Sequence, residues 1–160
     1  MSCGGLLRST QVQEMGSVMV TPAERGRAVS HCRTLVVGYH RDIDSGRATA
    51  GIGAFAEDAE FEAHGRIFHG RAEILGFLSA READTGRQTV HVLANEVVTD
   101  QGDGPHGRRA ELRAMILLHV RQADGAYVLD RVLDTVHQFR CRGGEWRITR
   151  RTSRPLHATA

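Results

Sequence analysis

A histidine moves protons efficiently near neutral pH only when a neighbour fixes its tautomer and orientation, and a shielded carboxylate bonded to one ring nitrogen does this. Two segments could supply such a pair. Tyr39-His40-Arg41-Asp42-Ile43-Asp44 ends an apolar periodic run with a carboxylate, and Gln88-Thr89-Val90-His91-Val92-Leu93-Ala94-Asn95 carries an imidazole on a β-like alternation. Asp44 and His91 are the candidate dyad, and Tyr39 is a candidate donor to a substrate oxygen. Each has a plain rival. Asp44 in Asp-Ser-Gly-Arg could cap a following helix, a lone strand histidine can simply reach water, and a tyrosine on an apolar helix face is usually core with its hydroxyl partnered. A period of two puts Asn95 on the same face as His91 and Leu93, so it is a candidate substrate contact. Thr135, on a later strand, could present a hydroxyl from the opposite wall.

These residues must be positioned by a fold, and composition narrows which. The chain has 160 residues, 41% hydrophobic and 25% charged, with 21 basic and 19 acidic side chains. That is one soluble domain without room for a second, and not a disordered, collagenous or coiled-coil chain. Cys3, Cys32 and Cys141 are scattered and odd in number, with no CxxC, which argues for free thiols over a disulfide framework or zinc knuckle. No stretch reaches transmembrane length and Leu6-Leu7 is too short for a signal peptide, so the cytoplasm is the expected location. Arg147, Arg150, Arg151 and Arg154 form the one basic cluster. It reads as a solvated strand end, since little aromatic interleaving accompanies it as nucleic-acid binding would require. His64, His69 and His106 show no metal-ligand spacing, so no metal is expected, and Gly51-Ile52-Gly53 lacks the strand and third glycine of a nucleotide loop.

Residues 1–20 have no sustained periodicity and read as a flexible tail, residues 21–154 as the domain and 155–160 as a C-terminal tail. Thr21-Pro22-Ala23-Glu24 is a capping-box helix start. Ala28, Val29, Cys32, Leu35, Val36, Tyr39 and Ile43 follow at helical spacing to a stop at Asp44-Ser45-Gly46. A shorter helix is expected over Arg47 to Phe55, a strand over Ala59 to Ala63, a turn between Gly65 and Gly70, and a third helix over Arg71 to Ala83. Strand-length runs then cover Gln88 to Thr99, Arg109 to Gln122, Tyr127 to Arg142 and Glu145 to Thr152. A loop over Asp100 to Gly107 and turns at Ala123-Asp124-Gly125 and Gly143-Gly144 separate them. Three N-terminal helices followed by a mostly antiparallel sheet make an α+β domain.

Phe55-Ala56-Glu57-Asp58-Ala59-Glu60-Phe61-Glu62, then Gly65 and His69-Gly70-Arg71-Ala72-Glu73-Ile74, resembles the stretch between the second and third helices of the SnoaL-like branch of the nuclear-transport-factor-2-like (NTF2-like) superfamily. Gly143-Gly144-Glu145-Trp146-Arg147-Ile148 is similar to its final hairpin. The resemblance implies a cystatin-like roll, a cone of curved sheet closed by helices around a pocket, and a homodimer paired through sheet faces. In site residues it comes nearest to scytalone dehydratase and bile-acid dehydratase. Asp44 and His91 match their aspartate and histidine, Tyr39 the tyrosine of the bile-acid enzyme, and His119 the second histidine of scytalone dehydratase. Ile43 and Ala63 replace the tyrosine of scytalone dehydratase and the catalytic aspartate of ketosteroid isomerase, which excludes that isomerase mechanism. The function implied is a cofactor-independent lyase, a dehydratase of secondary metabolism acting on a hydrophobic oxygenated ring compound such as a polyketide or steroid-like intermediate. A polyketide cyclase or isomerase using the same dyad, or a non-catalytic binder of small ligands, are the alternatives.

Overall fold

Thr21 opens the first helix by a reciprocal cap: its Oγ1 accepts from the Glu24 amide at 3.3 Å, while the Glu24 carboxylate accepts from the Thr21 amide at 2.7 Å. The computed structural model describes residues 21–156, and the tail expected over 1–20 lies outside the described residues. Helix α1 (Pro22–Asp44) buries Ala28, Cys32, Val36, Tyr39, His40 and Ile43 and leaves Arg25, Arg33 and Arg41 exposed. The second expected helix is a tighter 3₁₀ helix, Ala48–Ala54. Gly51 explains how closely it lies on α1, because a Cβ there would stand 2.9 Å from the Cβ of Tyr39.

Strands β1 (Phe55–Ala63) and β2 (Arg66–His69), helix α2 (Gly70–Ala83) and strands β3 (Thr89–Gly104), β4 (Gly107–Arg121), β5 (Tyr127–Arg142) and β6 (Glu145–Pro155) follow. They form one curved, unclosed sheet in the order β2-β1-β6-β5-β4-β3. The β1–β6 pair is parallel and the other neighbours are antiparallel. Several boundaries differ from the sequence reading, and β1 begins at Phe55 where the strand was expected from Ala59. Ile67 and Phe68, expected in a turn, pair with Glu62 and Phe61 as part of β2. The β3–β4 hairpin pairs as far as Gly104 with Gly107, so most of the expected Asp100 to Gly107 loop is strand. Gly107 is required at that corner: its φ is +113°, and a Cβ would come within 2.2 Å of the Cys141 carbonyl oxygen. Pro155 closes β6 and the Leu156 amide donates to the Val132 carbonyl at 3.0 Å, so the expected C-terminal tail begins inside the sheet.

The helices cover the concave face. Between them and the sheet lie Phe55, Phe61, Ile74, Leu78, Leu112, Phe139 and Ile148, all at most 2% exposed. Each such side chain contributes about 1.5–3 kcal/mol by leaving water. Register shifts at Ala94/Val97, Leu118/His119 and Gln138/Phe139 insert extra residues that bend the strands. A bulge also exchanges the inward and outward parity of everything beyond it, which governs which side chains reach the site.

Candidate active site

A cavity of about 520 Å³ lies between the concave sheet face and the helices, walled by Tyr39, His40 and Ile43 of α1, Phe61 of β1, Phe77 of α2 and His91 of β3 among others. His91 stands on that wall because its partner across the ladder is Leu118, which also lines the cavity. Asp44 lies behind it. Its Oδ1 is 2.6 Å from His91 Nδ1, its Oδ2 accepts from the His91 amide at 2.8 Å, and Oδ1 also accepts from Thr89 Oγ1 at 3.0 Å. Both side chains are shielded, 14% exposed for His91 and 19% for Asp44. Burial pushes the Asp44 carboxyl up, but the bonds from the His91 ring and amide and from Thr89 more than offset this and hold it below its ordinary value. A carboxylate facing Nδ1 favours the tautomer with the proton on Nδ1, leaving Nε2 as a basic lone pair. Arg81, near the end of α2, donates Nη2 to Thr89 Oγ1 at 3.2 Å, so one chain of bonds runs Arg81, Thr89, Asp44, His91.

The cavity floor holds polar groups that the sequence reading passed over. Tyr39 Oη lies 2.9 Å from His137 Nε2, both residues being buried. His40 packs tilted against Tyr39 at 4.0 Å between ring centroids and lies 4.9 Å from the His91 ring. Its Nδ1 donates to the Val36 carbonyl at 2.9 Å, so Nε2 is a lone pair, buried and without a partner among the described residues. Burial drives both His40 and His137 well below the ordinary histidine value, with the Arg151 charge adding to it and the His91 charge acting on His40 as well. Burial raises Tyr39, with Arg151 pulling the other way, so the phenol keeps its proton. Arg151 is only 7% exposed, donates to the Glu62 carbonyl at 2.6 Å and lies 4.6 Å over the Phe61 ring. The reading of Arg151 as part of a solvated strand end is therefore corrected. The shift opposite Gln138 and Phe139 makes Thr149 an extra residue, and beyond it the inward positions are Arg151 and Ser153. His40 had a signal in the sequence, since Cys32, Val36, His40 and Ile43 keep helical spacing.

Three expected substrate contacts stand elsewhere. Asn95 occupies the Ala94/Val97 bulge with φ +54° and is exposed, outside the cavity wall, because the bulge rotates it away from the face of His91. His119 does share a face with Leu117 and Met115, but that face is the convex one, since cavity-lining Leu118 has the opposite parity. Thr135 does point inward, yet it is fully buried outside the cavity wall and its hydroxyl proton goes to the Thr152 carbonyl at 2.9 Å. Among the described residues no three His, Cys, Asp or Glu side chains gather as metal ligands would, and no helix is long and apolar enough to cross a membrane.

Residues 24–152 match the SnoaL-like domain. No curated protein matches the chain. Among solved structures, an NTF2-like protein with a cystatin-like fold from Novosphingobium aromaticivorans is 27% identical. It aligns with a TM-score of 0.72 over 86% of this chain and 90% of its own. A protein of unknown function from Mycobacterium tuberculosis, solved as an aspartate-to-asparagine variant, aligns at 20% identity and a TM-score of 0.74 over 88% of this chain and 79% of its own. A Catenulispora acidiphila protein solved in complex with S-DNPA aligns at 14% identity and a TM-score of 0.67 over 80% and 92%. The last two show the fold alone.

Proposed function

The chain belongs to the SnoaL-like family within the NTF2-like superfamily, and on that premise we propose that it is a cytoplasmic, cofactor-independent lyase. It would dehydrate a hydrophobic oxygenated ring compound such as a polyketide or steroid-like intermediate. The observation that carries this reading is the 2.6 Å contact between Asp44 and His91 at the edge of a cavity of organic-ligand size. Loss of water from a β-hydroxy carbonyl is limited mainly by the weak acidity of the α-carbon. His91 Nε2 takes the α-proton, and Asp44 stabilises the imidazolium that forms. The electron pair moves into the carbonyl to give an enolate. The imidazolium then returns its proton to the β-hydroxyl, which leaves as water as the carbon–carbon double bond forms. Proton and hydroxyl must depart from one face for a single base to serve both transfers. Only a proton and a hydroxyl are exchanged, so the reaction needs no cofactor.

Tyr39 is the natural donor to the enolate oxygen. If His137 Nε2–H donates to Tyr39 Oη, the unpartnered His137 Nδ1 is a bare lone pair instead of an orphaned N–H, and the phenol proton is free for the substrate. Such a donor is worth about 3 kcal/mol in the transition state. The Arg151 guanidinium, held dry beneath Phe61 and the Glu62 carbonyl, adds fixed positive charge where the oxyanion develops.

The isomerase or cyclase reading shares the first step and gains support from His40, whose buried, unpartnered Nε2 lies in the ring cluster with His91 and would accept a hydrogen bond from a second substrate hydroxyl while staying neutral. The test follows the ultraviolet absorbance of conjugated enone from two- to four-ring β-hydroxy ketones, with isomer or ring-closed products read by mass spectrometry. Asp44→Asn is expected to lower kcat on the order of 10³-fold while ligand affinity stays within about threefold, because an amide favours the opposite His91 tautomer. Normal turnover in both His91→Ala and Asp44→Asn would sink the catalytic role and leave a binding protein. The homodimer implied by the resemblance would use the convex face, where Val90, Val92, Tyr127 and Leu129 are 38%, 43%, 47% and 46% exposed.

A further inference from the structure

Five arginines line the cavity, Arg81, Arg87, Arg131, Arg151 and Arg154, against a single carboxylate, Glu62. That carboxylate is engaged, taking Arg154 Nε and Nη2 at 2.8 and 3.0 Å. Arg131 holds Asp130 at 2.6 Å. Among the described residues, Arg81, Arg87 and Arg151 have no carboxylate within ion-pair distance. Arg151 is the buried cation beside Tyr39. Arg81 is occupied by the carbonyls of Asp84 and Arg87 and by the Thr89 hydroxyl. Arg87, half-buried just before β3, makes no side-chain hydrogen bond to any described residue, so its five donors are uncommitted.

A half-buried guanidinium with no counter-charge loses hydration without recovering it, and the cost disappears when an anion arrives. The charges also converge. His64, another wall residue, is pushed below its ordinary value by burial and then by Arg87, Arg131 and Arg151, so these three act on one corner of the cavity. The rest of the wall, with Ile43, Phe61, Phe77, Leu118 and Leu133, suits an apolar body.

We propose that the compound held in this cavity carries a carboxylate on its apolar ring body, with Arg87 as the anchor and the unpaired Arg81 and Arg151 supplying the surrounding positive field. A planar guanidinium takes a carboxylate through two parallel bonds, which orients as well as attracts. The inference deepens the proposed function by naming the substrate class, and it needs only that the cavity is the ligand site.

The test is calorimetric binding of naphthalene-2-carboxylate and naphthalene-2-carboxamide, which share a ring body and differ in charge. The wild-type protein is expected to bind the acid about tenfold more tightly than the amide at low ionic strength. Arg87→Gln should remove most of that preference while leaving amide affinity unchanged, which shows the cavity intact, and Arg87→Lys should restore part of it. Salt at about 0.5 M should shrink the preference in the wild type. Equal affinities for acid and amide, a preference that survives in Arg87→Gln, or no binding of either probe would overturn the proposal. His91→Ala should keep the preference whether or not His91 is catalytic, so failure of the anion site and failure of the proton-transfer reading are separable.

Discussion

Replacing His40 with leucine tests the buried polar floor without any substrate. His40 is 2% exposed, and burial first, then the charges of His91, His137 and Arg151, push it well below 6.5, opposed only by the Val36 carbonyl. In the native protein it is neutral, whereas in the unfolded chain it takes a proton near its ordinary value. A group depressed on folding contributes its stability above the unfolded value and loses it as pH falls below, because the unfolded state then binds the extra proton. Between about pH 7.5 and about pH 5.0, a histidine that stays neutral when folded costs about 2 kcal/mol. His137 is lowered for the same reasons of burial and Arg151 charge and adds a similar amount, so the pair accounts for about 4 kcal/mol. That is a large share of the roughly 5–15 kcal/mol stability of a domain. The assay is urea unfolding at the two pH values, followed by the fluorescence of Trp146, the only tryptophan and 6% exposed. His40→Leu should reduce the acid-induced loss by about 2 kcal/mol relative to wild type, whatever the other histidines and carboxylates contribute. A variant that loses as much stability as wild type between those pH values would refute the assignment of His40 as a neutral buried group.

Thr89→Val keeps the shape of a 3%-exposed side chain but removes the hydroxyl that donates to Asp44 and accepts from Arg81. It should cost about 1–2 kcal/mol in urea unfolding near neutral pH. It should also let the Asp44 carboxyl rise toward its ordinary value in a carbon-13 NMR titration, so that the stability this carboxylate contributes is lost at a higher pH as acid is added; unchanged stability and titration would count against the bond network. Sedimentation is expected to give twice the 17.6 kDa chain mass, with Val92→Glu on the convex face returning it to one chain, and a wild-type monomer at tens of micromolar would reject that face as an interface.

Much of this molecule is local and therefore readable along the chain. The Thr21–Glu24 cap, the apolar stripe of α1, the glycine turns before β5 and β6 and the run of strands after α2 all follow from contacts within a few residues. That Asp44 ends a helix and His91 starts a strand was legible because the helix is periodic and the alternation is regular before any bulge intervenes, while the pairing of the two as a dyad came from the family resemblance. Ile67 and Phe68 were misread because a four-residue strand is defined by its partner β1 and carries little signal of its own.

Residue types and periodicities determined which elements form and which side chains could do chemistry. Only the tertiary structure decided which of those side chains meet. Alternation has two senses, and no single strand reveals which of its faces will be concave, so His119 fell on the wrong side. Each bulge then reverses the sense beyond it, carrying Asn95 out to solvent and Arg151 in beneath Tyr39. An extra residue is stabilised by the pairing of two strands distant in sequence, and that pairing is a property of the assembled sheet.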